Sequence, residues 1–293
     1  MPILPRIALA MAAAIAGLAS FPALADGPVR IVAAENFYGD LARQIGGAHV
    51  EVTSILANPD GDPHLFEASP STARTLADAD IVIYNGADYD PWMQRLLSAA
   101  SAGSRSVIVA ADLTGHKSGD NPHLWYDPVT FPAVAKSLAA ELAARDPADA
   151  ADFKANLDTF SAGFSKVLDG IATIRSAYAD APVTATEPVF GYMAGAMGLK
   201  MLNETFQFSI MNEAEPSASD VAAFEASLQG GSARILFYNS QVSDDTTTRL
   251  LDIAKSNNVP VVGVSETEPA GETIQSWFGS QIAQVQAALA KKP

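Results

Sequence analysis

Between Asp146 and Tyr178 the apolar residues Phe153, Leu157, Phe160, Phe164, Leu168, Ile171, Ile174 and Tyr178 follow one another at spacings of three and four. That period keeps them on one face of an α-helix. Asp146-Pro147 reads as its start, an N-cap followed by Pro at the first helical position. At ~1.5 Å per residue, roughly thirty residues make a rod about 45 Å long. A rod of that length is long for a domain of this size, so it reads as a connector between two bodies. The rest of the chain has to be arranged around its two ends.

On both sides of the rod, strands and helices alternate. Before it, apolar runs at 29–33, 50–56, 81–84 and 107–109 read as strands. Helical patterns fall at 37–45, 71–79 (with Ser71 as N-cap), 91–100 and 131–144. After it, strands are expected at 182–186, near Lys200, at 234–238 and at 259–264. Helices are expected at 190–197, at 244–255, at 271–289, and from Ser217-Ala218-Ser219-Asp220 to Leu228. The Ser217 stretch resembles a capping box with Asp in the place of Glu or Gln. Strand and helix at this spacing build parallel sheets. The expected fold class is α/β, with two similar lobes, each a mostly parallel sheet flanked by helices, joined by one long connecting helix. The lobes are expected at 26–145 and 181–293, and the connector at 146–180.

Residues 1–25 stand apart from this pattern. Arg6 is followed by an apolar run of small residues and by Ala23-Leu24-Ala25, the features of a secretory signal peptide cut after Ala25. The mature chain is therefore expected in the periplasm. It has no cysteine, which excludes disulfides, thiolate metal ligands and a lipid on the residue after the cleavage site. The formal charge is −15, which argues against nucleic acid or an anionic membrane as partner and suits a cationic ligand.

Four histidines are present: His49, His64, His116 and His123. Two of them share one frame, Asp62-Pro63-His64-Leu65 and Asn121-Pro122-His123-Leu124. A Pro before each His marks an element boundary, where a ligand can reach the ring. Glu187 follows the strand at 182–186, and Glu266 follows the last strand in Ser265-Glu266-Thr267-Glu268-Pro269. All four positions, His64, His123, Glu187 and Glu266, lie in loops after strands, where parallel sheets take their ligands. Two imidazoles and two carboxylates would complete the coordination of one divalent cation. Each also has a plainer reading. Glu187 before Pro188 could cap the next helix, and Glu266 could be a solvated loop acid. His49 and His116 read as surface residues. The aromatics Phe66, Trp125, Tyr126, Phe190 and Tyr192 read as packing, which could also keep water from an ion.

Asp62-Pro63-His64 with Glu67, Asn121-Pro122-His123-Leu124-Trp125 with Asp127-Pro128, and the stretch from Glu187 to Gly198 resemble the zinc/manganese family of periplasmic solute-binding proteins. The resemblance covers essentially the whole mature chain. It implies a monomeric carrier without catalysis that captures one divalent transition metal and delivers it to the permease of an ABC-type importer. It maps the metal ligands onto His64, His123, Glu187 and Glu266, with Glu268 as the neighbouring choice for the fourth. Zinc-specific members often carry a long His-rich loop before the second ligand. Here that loop is Leu113 to Asp120, with His116 alone. A third-position Glu is typical of manganese-type members, and a fourth-position Glu is less usual than Asp. By the Irving–Williams order zinc is expected to bind more tightly than manganese in vitro. The alternative is a secreted metallohydrolase on the same His/Glu set. It would want an open coordination position and a motif such as His-Glu-x-x-His, which the chain lacks.

Overall fold

The structure is a computed structural model that describes residues 27–58, 63, 66–99, 105–239, 241–242 and 244–291. The expected leader, the expected cleavage site and His64 lie outside the described residues.

The first lobe carries β1 (Val29–Glu35), β2 (Val50–Leu56), β3 (Ile81–Tyr84) and β4 (Ser106–Val109), all pairing in parallel in the order β2-β1-β3-β4. Its helices are α1 (Asn36–Gly46), α2 (Pro70–Ala77), α3 (Pro91–Ala99), α4 (Ala110–Thr114) and α5 (Thr130–Arg145). The connector α6 runs over Ala150–Tyr178, 29 residues. The second lobe continues with β5 (Pro182–Ala185), α7 (Gly191–Ala196), β6 (Lys200–Met201), α8 (Glu204–Met211) and α9 (Ala218–Gln229). It closes with β7 (Leu236–Asn239), α10 (Asp245–Ser256), β8 (Val261–Val264) and α11 (Ile274–Ala290). Its sheet is again parallel, in the order β6-β5-β7-β8. Each lobe therefore places its second strand at one edge and its fourth at the other.

The inner strands show why the sequence reads this way. Ile81, Val82, Ile83 and Tyr84 are all buried, as strands covered on both faces must be. The sequence-based boundaries need three corrections. The cap of α2 is Ser69, whose hydroxyl accepts from the Thr72 N–H, rather than Ser71. Asp146 does not begin α6; its N–H bonds Leu142 O at 2.8 Å and closes α5. On α6, Val167 is in the core while Leu168 is 41% exposed, because the stripe drifts round a helix of 3.6 residues per turn. Two helices, the short α4 and α8, were not expected. In α8, Phe206 and Gln207 turn inward, and the Gln207 side chain donates to Leu202 O at 2.6 Å.

An aromatic seam crosses from one lobe to the other. Phe278 of α11 stacks on Tyr126 at 5.4 Å and 14°, and meets Phe131 of α5 at 5.7 Å and Phe164 of α6 at 6.4 Å. Its neighbour Trp277 reaches Phe37 of α1 at 6.3 Å. The result is one continuous core that includes α6 and residues of both sheets. Among the described residues no helix is long and apolar enough to cross a membrane.

Candidate metal centre

The carboxyl ends of the two sheets face a shared cluster made of His123, Glu187 and Glu266, all essentially buried. Each arrives by a short route from a strand or a turn. Glu187 stands two residues beyond β5, and Pro188 then starts a single 3-10 turn. Glu266 stands two residues beyond β8. His123 precedes another 3-10 turn, Leu124–Tyr126, whose rings are fully buried.

Asn121 fixes the state of the His123 ring. Its side-chain amide donates to Pro188 O at 2.8 Å, so its oxygen faces the imidazole. That oxygen accepts from the His123 backbone N–H at 3.2 Å and from Nδ1 at 2.6 Å. An amide oxygen cannot donate, so Nδ1 carries a proton, and Nε2 is the nitrogen whose lone pair a metal could take. Nε2 is buried, has no hydrogen-bond partner, and lies 3.7 Å from Glu266 Oε2. A buried acceptor left without a partner is costly. A cation between Nε2 and the carboxylate would satisfy it. The rings of Trp125 at 5.3 Å and Tyr89 at 6.1 Å wall off the imidazole.

Asn239, the last residue of β7, spans the two acids. Its amide nitrogen donates to Glu187 Oε2 at 2.7 Å and to Glu266 Oε1 at 2.8 Å. Tyr89 donates to the other Glu266 oxygen, Oε2, at 3.1 Å. The turn that aims Tyr89 is strained. Gly86, Ala87 and Asp88 have φ of 77°, 50° and 66°, a region L residues avoid. A side chain at Gly86 would press within 3 Å of Val109 and Ala111. The turn is held by Asp90, which accepts from the N–H groups of Asn85 at 2.7 Å and Gly86 at 2.9 Å. Asn85 in turn donates to Pro122 O at 2.8 Å and so anchors the loop that carries His123.

Beneath this turn lies a second acid, Glu35, at the end of β1. It is fully buried, and neither carboxyl oxygen meets a hydrogen-bond donor among the described residues. Asp90, with two backbone N–H groups on it, is the member of the pair suited to hold charge. Glu35 is the one that keeps its proton. Burial first, and then the charge on Asp90, push its carboxyl well above the ordinary 4.5. Burial also raises Asp90, to about 6. Glu35 therefore keeps, in the fold, a proton that it gives up in the unfolded chain above about pH 4.5, and its own contribution to stability falls as pH rises through that range. Glu35→Gln removes that loss. In chelator, its melting temperature should overtake the parent's as pH is raised above 5, with little difference near pH 4. An unchanged gap across a calorimetric pH series would mean that Glu35 is ionised in the fold.

The remaining candidates fall elsewhere. Glu268 turns toward α1, where its backbone exchanges two hydrogen bonds with the Asn36 side chain, at 2.7 and 2.9 Å. Burial and the nearby Asp40 push its carboxyl to about 9. His116 is held by Asp127 at 3.2 Å and by Tyr192 at 3.4 Å, away from the cluster. His49 places Nδ1 2.8 Å from Asp149 and Nε2 3.2 Å from Asp152. Although these three residues could hold an ion by proximity alone, each ring nitrogen is spent on a different carboxylate. That is the geometry of a brace for the start of α6 rather than of a chelate.

Sequence reasoning missed Asn239, Tyr89, Glu35 and Asp90. A signal for the first was present. Tyr84-Asn85 and Tyr238-Asn239 repeat at the end of the third strand of each lobe. Both Asn side chains hold the centre, one through the His123 loop and one through the acids.

Lobes joined by a shared core, with a buried polar cluster where the strands of both sheets end, are the mark of a solute-binding protein with a helical spine. The family profile described as zinc-uptake complex component A, periplasmic, matches residues 31–288, and the chain belongs to that family. It is 27% identical over 263 residues to the high-affinity zinc uptake system protein ZnuA of Paracoccus denitrificans, covering 73% of this chain and 76% of that one. It is 25% identical over 256 residues to the metal ABC transporter substrate-binding lipoprotein FimA of Streptococcus parasanguinis, covering 81% of this chain and 79% of that one. In fold it is similar to the periplasmic zinc-binding protein TroA of Treponema pallidum, with a TM-score of 0.76 at 21% identity over 90% of this chain and all of the other.

Proposed function

We propose that the protein captures one divalent transition metal ion in the space between its lobes and hands it to the permease of an ABC-type importer. The observation that carries this reading is the His123 ring, whose Nδ1 is bonded to Asn121 while Nε2 faces Glu266 at 3.7 Å without a hydrogen bond. The proposed ligands are His123, Glu187, Glu266 and His64, the last on residue grounds alone. The lobes are taken as 26–145 and 181–293 around a connector at 146–180, and the chain as a monomer. Export fits a family described as periplasmic, with cleavage after Ala25 as the proposed site. The role is binding without turnover. The hydrolase alternative finds no support in a family that serves uptake.

Zinc should bind more tightly than manganese, because imidazole suits zinc and the Irving–Williams order favours it at a shared N/O site. Titration of metal-free protein with each ion by calorimetry tests the reading. The expected result is one ion per chain, zinc the tighter. Glu187→His exchanges a hard anionic donor for a borderline one and should widen the zinc preference. A parent that binds neither ion, or more than one equally well, would overturn the proposal.

A further inference from the structure

Beside the centre the two lobes enclose a partly open cavity of about 320 Å³. The first lobe supplies Asn36 and Arg43 of α1 and Ser54 of β2, and the second supplies Glu268 and Glu272. Glu268 is 5% exposed, and its Oε2 has no hydrogen-bond partner. The two backbone bonds to Asn36 pin it in place, so its side chain has little freedom to turn away. The Ser54 hydroxyl is a second buried oxygen without a hydrogen bond. Arg43 is the cation of this wall, set against Glu268 and Glu272, with Asp40 close by. Asp40 is already engaged, by the Ile274 N–H at 3.1 Å and by the Gln44 amide at 2.6 Å. The cavity is thus short of positive charge, and burial followed by Asp40 pushes the Glu268 carboxyl up to about 9.

A buried carboxyl oxygen left without a partner is costly, and a cation would satisfy it. A dication with six waters takes about 180 Å³, at about 30 Å³ a water, so it fits the cavity with its hydration shell. Thr267 alone separates Glu268 from Glu266, and two residues of extended chain reach at most about 7 Å. We infer that the cavity is a loading subsite, where a hydrated divalent cation rests against Glu268 before it passes to the centre. The inference rests on the ion capture proposed above. The ion takes the place of the proton on that carboxyl, and Ser54 Oγ accepts from one of its waters. With water still on the ion the hold is weak, and the ion moves on. Glu268 then sets how fast the centre fills, and not how tightly it holds.

Stopped-flow mixing with zinc tests it, read through tryptophan fluorescence, since the Trp125 ring lies 5.3 Å from His123. Because charge along an approach path changes association by about tenfold or more, Glu268→Gln should slow zinc association about tenfold. Dissociation should slow with it, since the ion leaves by the way it came, and equilibrium affinity should barely move. Glu272→Gln, on the exposed rim, should slow association less, and it carries the comparison if Glu268→Gln fails to fold. Glu51→Gln removes an exposed acid of β2 outside the cavity and should leave the rate at the parent's value. Parental association in Glu268→Gln overturns the inference, and so does an equal slowing in Glu51→Gln, which would mean steering by net charge. A fall in affinity as large as the fall in rate would make Glu268 a ligand of the centre, and also overturns it. A parent that takes up no zinc removes the capture reading and the inference together. A parent that binds zinc while Glu268→Gln fills at its rate removes the inference alone.

Discussion

His123→Ala should lose more than a hundredfold in zinc affinity. Binding of zinc by a four-donor protein site is worth about 10–16 kcal/mol in all, so one ligand accounts for about 3 kcal/mol, and 1.4 kcal/mol is tenfold. The loss should appear in stability as well. A ligand that binds only the folded state adds about 2.7 kcal/mol at a hundred times its dissociation constant, and the variant should show no melting-temperature rise at a zinc concentration that raises the parent's. Melting in chelator supplies the control, since His123 is fully buried and its removal also leaves a cavity. Parental affinity in this variant would place the metal elsewhere.

Phe278→Ala should cost about 3–5 kcal/mol, the range for removing a buried Phe. Its ring lies against Tyr126, Phe131 and Phe164, on three separate parts of the chain. For a chain of this size about 2–4 °C is lost per kcal/mol, so a fall of about 10 °C is expected in a calorimetric scan. Because the ring joins the lobes, the variant's transition should also broaden or split where the parent's is single. A loss below about 0.5 kcal/mol, within the range of ordinary surface substitutions, would mean that the lobes do not depend on this seam.

The fold was legible because its signals are local. The spacing of Phe153 to Tyr178 marked the connector, and short apolar runs such as Ile81 to Tyr84 marked strands buried on both faces. What escaped was decided by contacts distant in sequence. Asp146 followed by Pro147 has the form of a helix start, yet it closes the helix before it, because its N–H finds Leu142 O first. Helix α8 carries no clean periodic stripe, since Phe206 and Gln207 are both buried while Phe208 faces out. At the centre, ionisable residues after strands drew attention to His123, Glu187 and Glu266; the structure sets His123 beside Glu266 and links Glu266 to Glu187 through Asn239. Asn239 is not ionisable and showed only in the Tyr-Asn repeat, and Glu35 closes its strand with no motif around it. An amide at a strand end and an acid beside an Asn-Phe-Tyr run look ordinary until the partners 52 and 27 positions away, or Asp90, are seen beside them.

The aromatic seam has a consequence for traffic. A carrier whose shared core around Phe278 held its lobes still would offer almost the same outline whether empty or full. An importer that docks it by shape meets both forms alike, and empty copies then compete with full ones for the same berth. Under metal scarcity, making more carrier would slow delivery once empty copies outnumber the importers. For such a carrier the productive number would be set by how many importers there are, and not by how little metal there is.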